Sequence, residues 1–278
     1  MQRLRPAEDA PARGKVSPLR VAAPRVEGAE ADAEASSQEV AGVGKVRGHL
    51  QPASSAWKKI TAALRSGQGF RVGFLGVSGS GKTTSAVDLL RFLEAERLAS
   101  VVIVHDVKLP RPQFEGRIEH EADAVIARPP EEYPATIVLR RKGIDHVPSV
   151  ERAARVTLHA SYSGVPTVLV LDELSHATTA QGKEFTAPSV ERIISEGRGI
   201  GASIVWLVQL PQRVPTSAYD QSWIVLHRSG RKVLRYLVDA KILDNAAADT
   251  VARLPVGQFV LATAEEDFDG QIYETPAP

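Results

Sequence analysis

The sequence predicts an α/β fold, in which a mostly parallel β-sheet is flanked by helices. From residue 51 onward, short apolar runs typical of buried strands alternate with stretches of helical spacing. One of these runs leads into a glycine-rich loop, and another ends in two carboxylates. Strands that alternate with helices form parallel sheets covered on both faces, so each strand is a continuous apolar run. The chain of 278 residues is 43% hydrophobic, which is enough for a buried core.

The predicted strands and helices follow one another in a regular order. Strands are expected at 70–76, 101–107, 135–140, 167–171 and 203–209, with shorter ones at 223–227 and 258–261. Helices are expected near 83–98, 149–160, 188–197 and 242–253. The spacing of the apolar residues distinguishes the predicted strands from the predicted helices.

Residues 1–50 are predicted to be a disordered arm that precedes a single domain at 51–278. The arm is rich in Ala, Pro, Glu, Gly and Ser and has no aromatic residue, so it cannot offset the entropy of ordering. Residues 1–25 carry six basic side chains, whereas 26–40 holds five acids and no base. This basic tip either contacts nucleic acid or a partner, or is a solvated tail.

The composition excludes several classes of protein. No cysteine is present, which rules out disulfides, thiolate zinc sites and cysteine nucleophiles. The net charge is +1, so any nucleic-acid contact requires a local basic cluster. The sequence has neither a signal-peptide core nor an apolar run long enough for a membrane span, so we expect a soluble, cytoplasmic protein.

A phosphate-binding loop follows the strand at 70–76. Its sequence GVSGSGKT matches the pattern G-x-x-x-x-G-K-[ST], and it opens a predicted helix. Glycines let backbone N–H groups approach the phosphates, the lysine adds a positive charge, and the threonine hydroxyl is a Mg²⁺ ligand. The helix N-terminus favours the same anion. We therefore expect ATP and Mg²⁺ as cofactors, with the nucleotide held by Gly76, Ser78, Gly79, Ser80, Gly81, Lys82, Thr83 and Thr84.

Two further strand ends carry polar groups that suit hydrolysis. Asp172 and Glu173 follow the strand at 167–171; Asp172 is expected to hold Mg²⁺ together with Thr83, and Glu173 to orient or deprotonate water. The second acid favours an ATPase over a kinase. Gln209 ends the strand at 203–209, where it either senses the γ-phosphate or faces solvent.

These residues together resemble the FtsK/HerA superfamily of DNA-pumping ATPases over about residues 70–262. The segment EGRGIGASIVWLVQLP at 196–211 is similar to that group's glycine-arginine, strand, glutamine and proline pattern, and Asp106-Val107-Lys108 is similar to another of its motifs. The resemblance implies a RecA-like P-loop core assembled as a ring, usually a hexamer, with double-stranded DNA in the pore. It also implies that Gln209 is a sensor.

The resemblance further implies an arginine that reaches the γ-phosphate of a neighbouring subunit. The candidates are Arg198, Arg228 and Arg231, and Arg198 carries the better match. The stretches 222–228 and 254–261 are similar to the small genome-packaging ATPases of membrane-containing, tailless viruses. That subgroup implies a capsid or portal-like partner and a place in the virion as well as in the cytoplasm.

Two basic segments are candidates for DNA contact. In this superfamily the loop after the acidic strand reaches the pore, which makes Lys183, Thr178 and Thr179 candidates for phosphate contacts that do not read bases. Arg140 and Arg141 form a second basic cluster, and ordinary solvated loops remain the alternative for both segments. His176 lies near the carboxylates, but no His or Cys partner at ligand spacing supports a metal site there.

The sequence therefore predicts an ATP-driven translocase of double-stranded DNA, with viral genome packaging as the leading interpretation. A DNA-transfer ATPase of a plasmid or conjugative element is an alternative. A phage assembly or secretion ATPase that moves protein is a second alternative, and a P-loop kinase is a third.

Overall fold

The computed structural model describes residues 50–106, 114, 116–119, 125, 129, 132, 135–140, 146–263 and 270–276. The predicted arm lies outside these residues except for Leu50, so the division into an arm and a domain stays a prediction. Lys108 and Arg141 also lie outside the described residues.

Ten strands and seven α-helices occur within the described ranges. The strands are β1 (Leu50–Pro52), β2 (Arg71–Leu75), β3 (Val101–Asp106), β4 (Arg117–Glu119), β5 (Thr136–Arg140), β6 (Thr167–Leu171), β7 (Ala202–Val208), β8 (Trp223–His227), β9 (Gln258–Ala262) and β10 (Ile272–Glu274). The helices are α1 (Ala53–Ile60), α2 (Lys82–Ala95), α3 (Val147–Tyr162), α4 (Pro188–Glu196), α5 (Thr216–Asp220), α6 (Arg231–Asp239) and α7 (Asn245–Arg253).

The described strands form one sheet in the order β1-β10-β9-β8-β2-β7-β6-β3-β5-β4. All neighbours from β8 to β4 are parallel. Strand β9 is antiparallel to β8 and β10, while β1 and β10 are parallel. The predicted α/β fold with a mostly parallel sheet is confirmed.

The core lies on both faces of the sheet, as the apolar strands require. Along β6, Val168 and Val170 pack toward α1 and α2, whereas Leu169 and Leu171 pack toward α3, α4, α6 and α7. Every residue of β6 and β7 is buried. Successive side chains of a strand point to opposite faces, so a strand covered on both sides is mostly apolar along its whole length.

Glycine at position 73 of β2 permits close packing at the centre of the sheet. A Cβ atom there would lie 2.2 Å from Cζ2 of Trp206 on the neighbouring strand. The indole is fully buried and occupies the space that a side chain on β2 would fill. Substitution of this glycine would therefore displace β2, which leads directly into the phosphate-binding loop.

Several elements were not predicted, and most of them are short. Strands β1, β4 and β10 have three residues each, too few for a hydrophobic period to be recognised. Helix α6 has nine residues, of which Leu234 and Leu237 are buried. The helix predicted at 242–253 starts at residue 245, because the Asp244 carboxylate caps it by accepting a hydrogen bond from the Ala247 backbone N–H at 2.6 Å. Among the described helices, none is long and apolar enough to cross a bilayer.

Candidate nucleotide-binding and hydrolysis site

The sheet topology brings the predicted functional segments to one edge. Strand β7 lies between β2 and β6, with Val208 beside Leu75 and Trp206 beside Leu171. These three strands are parallel, so their carboxyl ends meet at the same edge. The phosphate-binding loop, the Asp172–Glu173 pair and Gln209 each follow one of these adjacent strands directly.

The loop that follows β2 has a backbone that requires glycine. Gly79 and Gly81 have φ angles of 74° and 103°, which are unfavourable for residues with a Cβ atom. A Cβ atom on Gly76 would lie 2.6 Å from Ser80 Oγ and 2.8 Å from His227 Cβ. Ser78 and Gly79 are exposed at the tip of the loop, where their backbone can meet a ligand. This is the compact cradle that the sequence motif predicts.

Lys82 is the first residue of α2 and its side chain turns back into the cradle. The ammonium Nζ donates hydrogen bonds to the carbonyl oxygens of Gly76 at 2.7 Å and Val77 at 2.9 Å. The side chain is only 8% exposed, so its charge acts in a medium of lower polarity than water. A phosphate group entering the loop would meet a positive charge that is already oriented. Thr83 is partly buried beside it in the first turn of α2, and Thr84 is exposed.

The two carboxylates have different environments at the end of β6. Asp172 is 3% exposed, and its backbone N–H donates to the carbonyl oxygen of His105 on β3 at 3.3 Å. Glu173 is partly buried and accepts a hydrogen bond from Ser175 Oγ at 2.8 Å. Burial raises the pKa of Glu173; the Ser175 hydrogen bonds oppose this shift, the Asp172 charge adds to it, and the Lys82 charge opposes it. A carboxylate with a raised pKa is a better proton acceptor from water.

The residues around the cradle fit a Mg²⁺ ion. Thr83 offers a hydroxyl and Asp172 a carboxylate, and Mg²⁺ prefers oxygen ligands and uses few of them from the protein when it also binds phosphate. These two residues would hold the ion. The ion would supply charge neutralisation on the phosphate oxygens.

Gln209 immediately follows β7 and is exposed between the phosphate-binding loop and the carboxylates. The short 3₁₀ helix Pro211–Arg213 comes next. A hairpin formed by residues 178–185 packs on this segment: Thr178 pairs with Phe185, and a Cβ on Gly182 would lie 2.5 Å from backbone atoms of Gln212 and Arg213. The hairpin therefore rests on the segment that Gln209 leads into.

The candidate DNA contacts differ in accessibility. Lys183 is exposed at the tip of the hairpin, and its backbone N–H donates to Thr179 Oγ1 at 3.3 Å. Thr178 is 8% exposed, and its hydroxyl lies 2.7 Å from the Arg213 carbonyl oxygen, to which it can donate. The structure thus gives Thr178 a packing role rather than a free hydroxyl. Arg140 is the last residue of β5.

The three candidate arginines lie at different places. Arg198 belongs to the 3₁₀ helix before β7, at the edge of the sheet opposite the phosphate-binding loop. Arg228 and Arg231 follow β8, at the same edge as the loop, and the Arg228 carbonyl oxygen accepts a hydrogen bond from the Val77 backbone N–H at 3.1 Å. Arg198 is thus remote from the loop of its own subunit, whereas Arg228 is adjacent to it.

Sequence reasoning missed two supports of the loop. His227 is fully buried, its ring lies 3.7 Å from the Cβ position of Gly81, and its pKa is lowered to about 3 by burial and by the Lys82 charge. Gly257 donates its backbone N–H to the Ser80 carbonyl oxygen at 3.3 Å. Both lie in stretches that the sequence analysis associated only with a viral subgroup. The glycine before β9 was the one available signal of a close backbone contact.

The fold and the site define a P-loop nucleoside triphosphatase core. No protein-family model matches the sequence, and no curated protein matches it. Solved structures do match. The genome packaging NTPase B204 from Sulfolobus turreted icosahedral virus 2, in complex with AMPPCP, has a TM-score of 0.61 and 17% identity over 74% of this chain and 98% of that chain. The DNA-packaging ATPase B204 from Sulfolobus Turreted Icosahedral Virus has a TM-score of 0.56 and 16% identity over 74% and 98% of the two chains.

One further solved structure gives a weaker match. VirB4 of Thermoanaerobacter pseudethanolicus has a TM-score of 0.50 and 11% identity over 75% of this chain and 90% of that chain. The chain therefore shares the α/β fold of these proteins.

Proposed function

We propose that this chain is an ATP-driven translocase of double-stranded DNA, of the kind that packages viral genomes. One observation carries the proposal: the phosphate-binding loop, the carboxylate pair and Gln209 follow three adjacent parallel strands at one edge of the sheet. A second observation links this edge to the hairpin that carries Lys183, because Gly182 packs on the segment that follows Gln209.

Each residue of the site has a separate role in the hydrolysis of ATP. The loop amides and Lys82 bind the β- and γ-phosphates, and Thr83 and Asp172 would hold Mg²⁺. Glu173 orients the attacking water and accepts its proton, which its raised pKa favours. The water oxygen then forms a bond to the γ-phosphorus while the bond to the β,γ-bridging oxygen breaks, giving ADP and phosphate.

Movement follows from the contact between the hairpin and the segment after Gln209. In this proposal the Gln209 amide, at the end of β7, contacts the γ-phosphate, so loss of phosphate changes its hydrogen bonding. The 3₁₀ helix at 211–213 carries that change to the backbone of Gly182, and the hairpin presents Lys183 to solvent. A lysine that contacts DNA phosphates binds DNA of any sequence equally well, and a motor that moves along DNA requires this.

A ring, with a hexamer as its expected size, completes each site at the interface between subunits. Arg198 lies at the far edge of the sheet from its own loop, so it can act only on the nucleotide of a neighbour. A guanidinium there would neutralise charge on the transferred phosphoryl oxygens.

The packaging interpretation has more support than the alternatives. The chain aligns with 98% of the packaging NTPase B204, so it spans nearly all of a protein whose name gives that role. The match to VirB4 has a lower TM-score and keeps DNA transfer in conjugation as the second candidate. A capsid or portal-like protein would be the partner of a packaging ATPase but not of a conjugation ATPase.

Double-stranded DNA should stimulate hydrolysis of ATP. We expect the rate of phosphate release to rise several-fold on addition of linear duplex, and to be absent with or without DNA in Lys82→Ala. A kinase would give no such rise, and a protein-moving ATPase would respond to its protein cargo instead. Hydrolysis that is insensitive to duplex DNA at low salt would contradict the proposal.

A further inference from the structure

A polar cavity of about 580 Å³ opens at the edge of the sheet opposite the phosphate-binding loop. It lies at the amino ends of β2 and β8 and is bordered by α1. Its charged and amide side chains include Lys59, Gln68, Arg71, Arg198, Asp220 and Gln221. Two arginines and one carboxylate thus border a space large enough for a small anionic ligand, while the Lys59 ammonium donates to the Tyr273 hydroxyl at 2.8 Å.

The two arginines are held in place by uncharged groups. Nη1 of Arg71 donates to Oε1 of Gln221 at 2.7 Å and to the carbonyl oxygen of Ile194. Nε of Arg198 donates to Oε1 of Gln68 at 2.9 Å. In the part of the chain that the structure describes, neither guanidinium forms an ion pair with a carboxylate. Each therefore keeps N–H donors available for another acceptor.

The arginines also repel each other. Burial and the positive charge of Arg198 both lower the pKa of Arg71. Two like charges held near each other without a counter-ion destabilise the folded chain, and an anion between them would reverse that effect. The fork of a guanidinium matches phosphate oxygens in particular, because two parallel N–H groups can bind two oxygens.

The side chains of the cavity lie too far from the phosphate-binding loop to contact a nucleotide bound to the same subunit. Arg71 is the first residue of β2 and Gly76 follows its last, so the strand separates them by roughly 17 Å at about 3.3 Å per residue. In a closed ring of head-to-tail subunits, however, two different surfaces of the chain meet at every interface. A nucleotide bound at one surface can then face this cavity on the next subunit.

We infer that the cavity receives the triphosphate of the nucleotide bound to a neighbouring subunit, and that Arg71 binds its phosphate oxygens together with Arg198. The inference rests on the proposed ring-forming ATPase and adds a second arginine that the sequence did not indicate. Arg71 and Arg198 share the charge that develops on the γ-phosphoryl oxygens, while Gln221 and Gln68 orient the two guanidinium planes.

The first test removes Arg71 alone. We expect Arg71→Gln to lower kcat about 10²-fold, as loss of one donor to a developing oxyanion does, with a smaller change in KM. Arg192→Ala is the matched control, because Arg192 is exposed and, among the described residues, contacts Glu196 and the Tyr162 ring. Its kcat should equal that of wild type. An unchanged kcat in Arg71→Gln would overturn the inference.

The second test separates a role across the interface from a role in folding. Arg71→Gln and Glu173→Gln subunits, each inactive alone, are mixed; interfaces that pair an intact Glu173 with an intact Arg71 should restore part of the activity. Lys82→Ala mixed with Glu173→Gln is the negative control, because both residues belong to the same half of the site. No return of activity with Arg71→Gln, when Arg198→Ala does complement, would mean that Arg71 supports only its own subunit and would overturn the inference.

A third variant covers the case in which Arg71→Gln fails to fold. Arg71→Lys keeps a cation that can reach the Ile194 carbonyl, so it should fold, yet it lacks the guanidinium fork and should still lose at least tenfold in kcat. Full activity of Arg71→Lys would overturn the inference. Failure of the proposed function is distinguishable, because wild-type hydrolysis would then show no stimulation by duplex DNA, whereas the tests of Arg71 compare kcat between variants.

Discussion

Substitution of Gly182 should disrupt the proposed coupling between ATP hydrolysis and DNA movement. It has a φ of 67°, and a Cβ at this position would lie 2.5 Å from each of three backbone atoms of Gln212 and Arg213. Backbone atoms cannot swing away as a side chain can, so Gly182→Ala must separate the hairpin at 178–185 from the 3₁₀ helix at 211–213.

Two costs contribute to the effect of Gly182→Ala on stability. A left-handed backbone costs about 1–2 kcal/mol for a residue with a Cβ. The steric clash adds about 1–3 kcal/mol unless the hairpin lifts away. Gly164→Ala is the matched control: its φ is 80°, and among the described residues nothing lies within 4 Å of its Cβ position. We therefore expect Gly164→Ala to show only the backbone cost in urea unfolding.

The functional assay compares ATP hydrolysis with and without duplex DNA in the two variants. We expect Gly182→Ala to keep basal hydrolysis within about threefold of wild type, because the carboxylates and the phosphate-binding loop are untouched, and to lose DNA stimulation. Gly164→Ala should keep both. If Gly182→Ala retained full DNA stimulation, the contact between Gly182 and Arg213 would not carry the signal and the coupling argument would be refuted.

Three further outcomes follow from the site. Lys82→Ala should abolish turnover and weaken ATP binding, measured by calorimetry, because the oriented charge on the phosphates is lost. Glu173→Gln should still bind ATP while hydrolysis collapses, leaving trapped ATP that filter binding detects; loss of binding would give Glu173 a structural role. His227 has a folded-state pKa of about 3 against about 6.5 unfolded, so the unfolded chain takes up its proton first and stability falls by about 1.4 kcal/mol per pH unit below about 6.5. His227→Phe should therefore show a shallower loss of stability between pH 7 and pH 5 in urea titrations, and an equal loss would contradict the assignment.

The parts of the fold that the sequence predicted were those with a local signal. The strand expected at 167–171 is β6 with the same bounds, because the four consecutive apolar residues at 168–171 are buried on both faces. The phosphate-binding loop was predictable because glycine, lysine and threonine at fixed spacing have few other uses. The same holds for Asp172 and Glu173, which follow a strand that the pattern makes parallel to β2.

Other features depend on contacts between distant segments and had no local signal. The polar sequence around Thr178 is typical of an exposed loop, yet its hydroxyl lies against the Arg213 carbonyl oxygen 35 residues away. The Arg71 side chain is oriented by Gln221, 150 residues along the chain. The sequence pattern favoured Arg198 over Arg228, but it did not show that the two arginines lie at opposite edges of the sheet. The order and direction of the strands therefore show which edge of the sheet each arginine occupies, and the motifs do not.

Displacement of a third DNA strand from a duplex tests the central claim most directly, because it reports movement along DNA rather than hydrolysis alone. A motor that tracks along duplex DNA should release a labelled triplex-forming strand when ATP is present, and the account predicts this for wild type. Glu173→Gln, which should bind ATP without hydrolysing it, should release none. Hydrolysis stimulated by DNA without any displacement of the third strand would contradict the account.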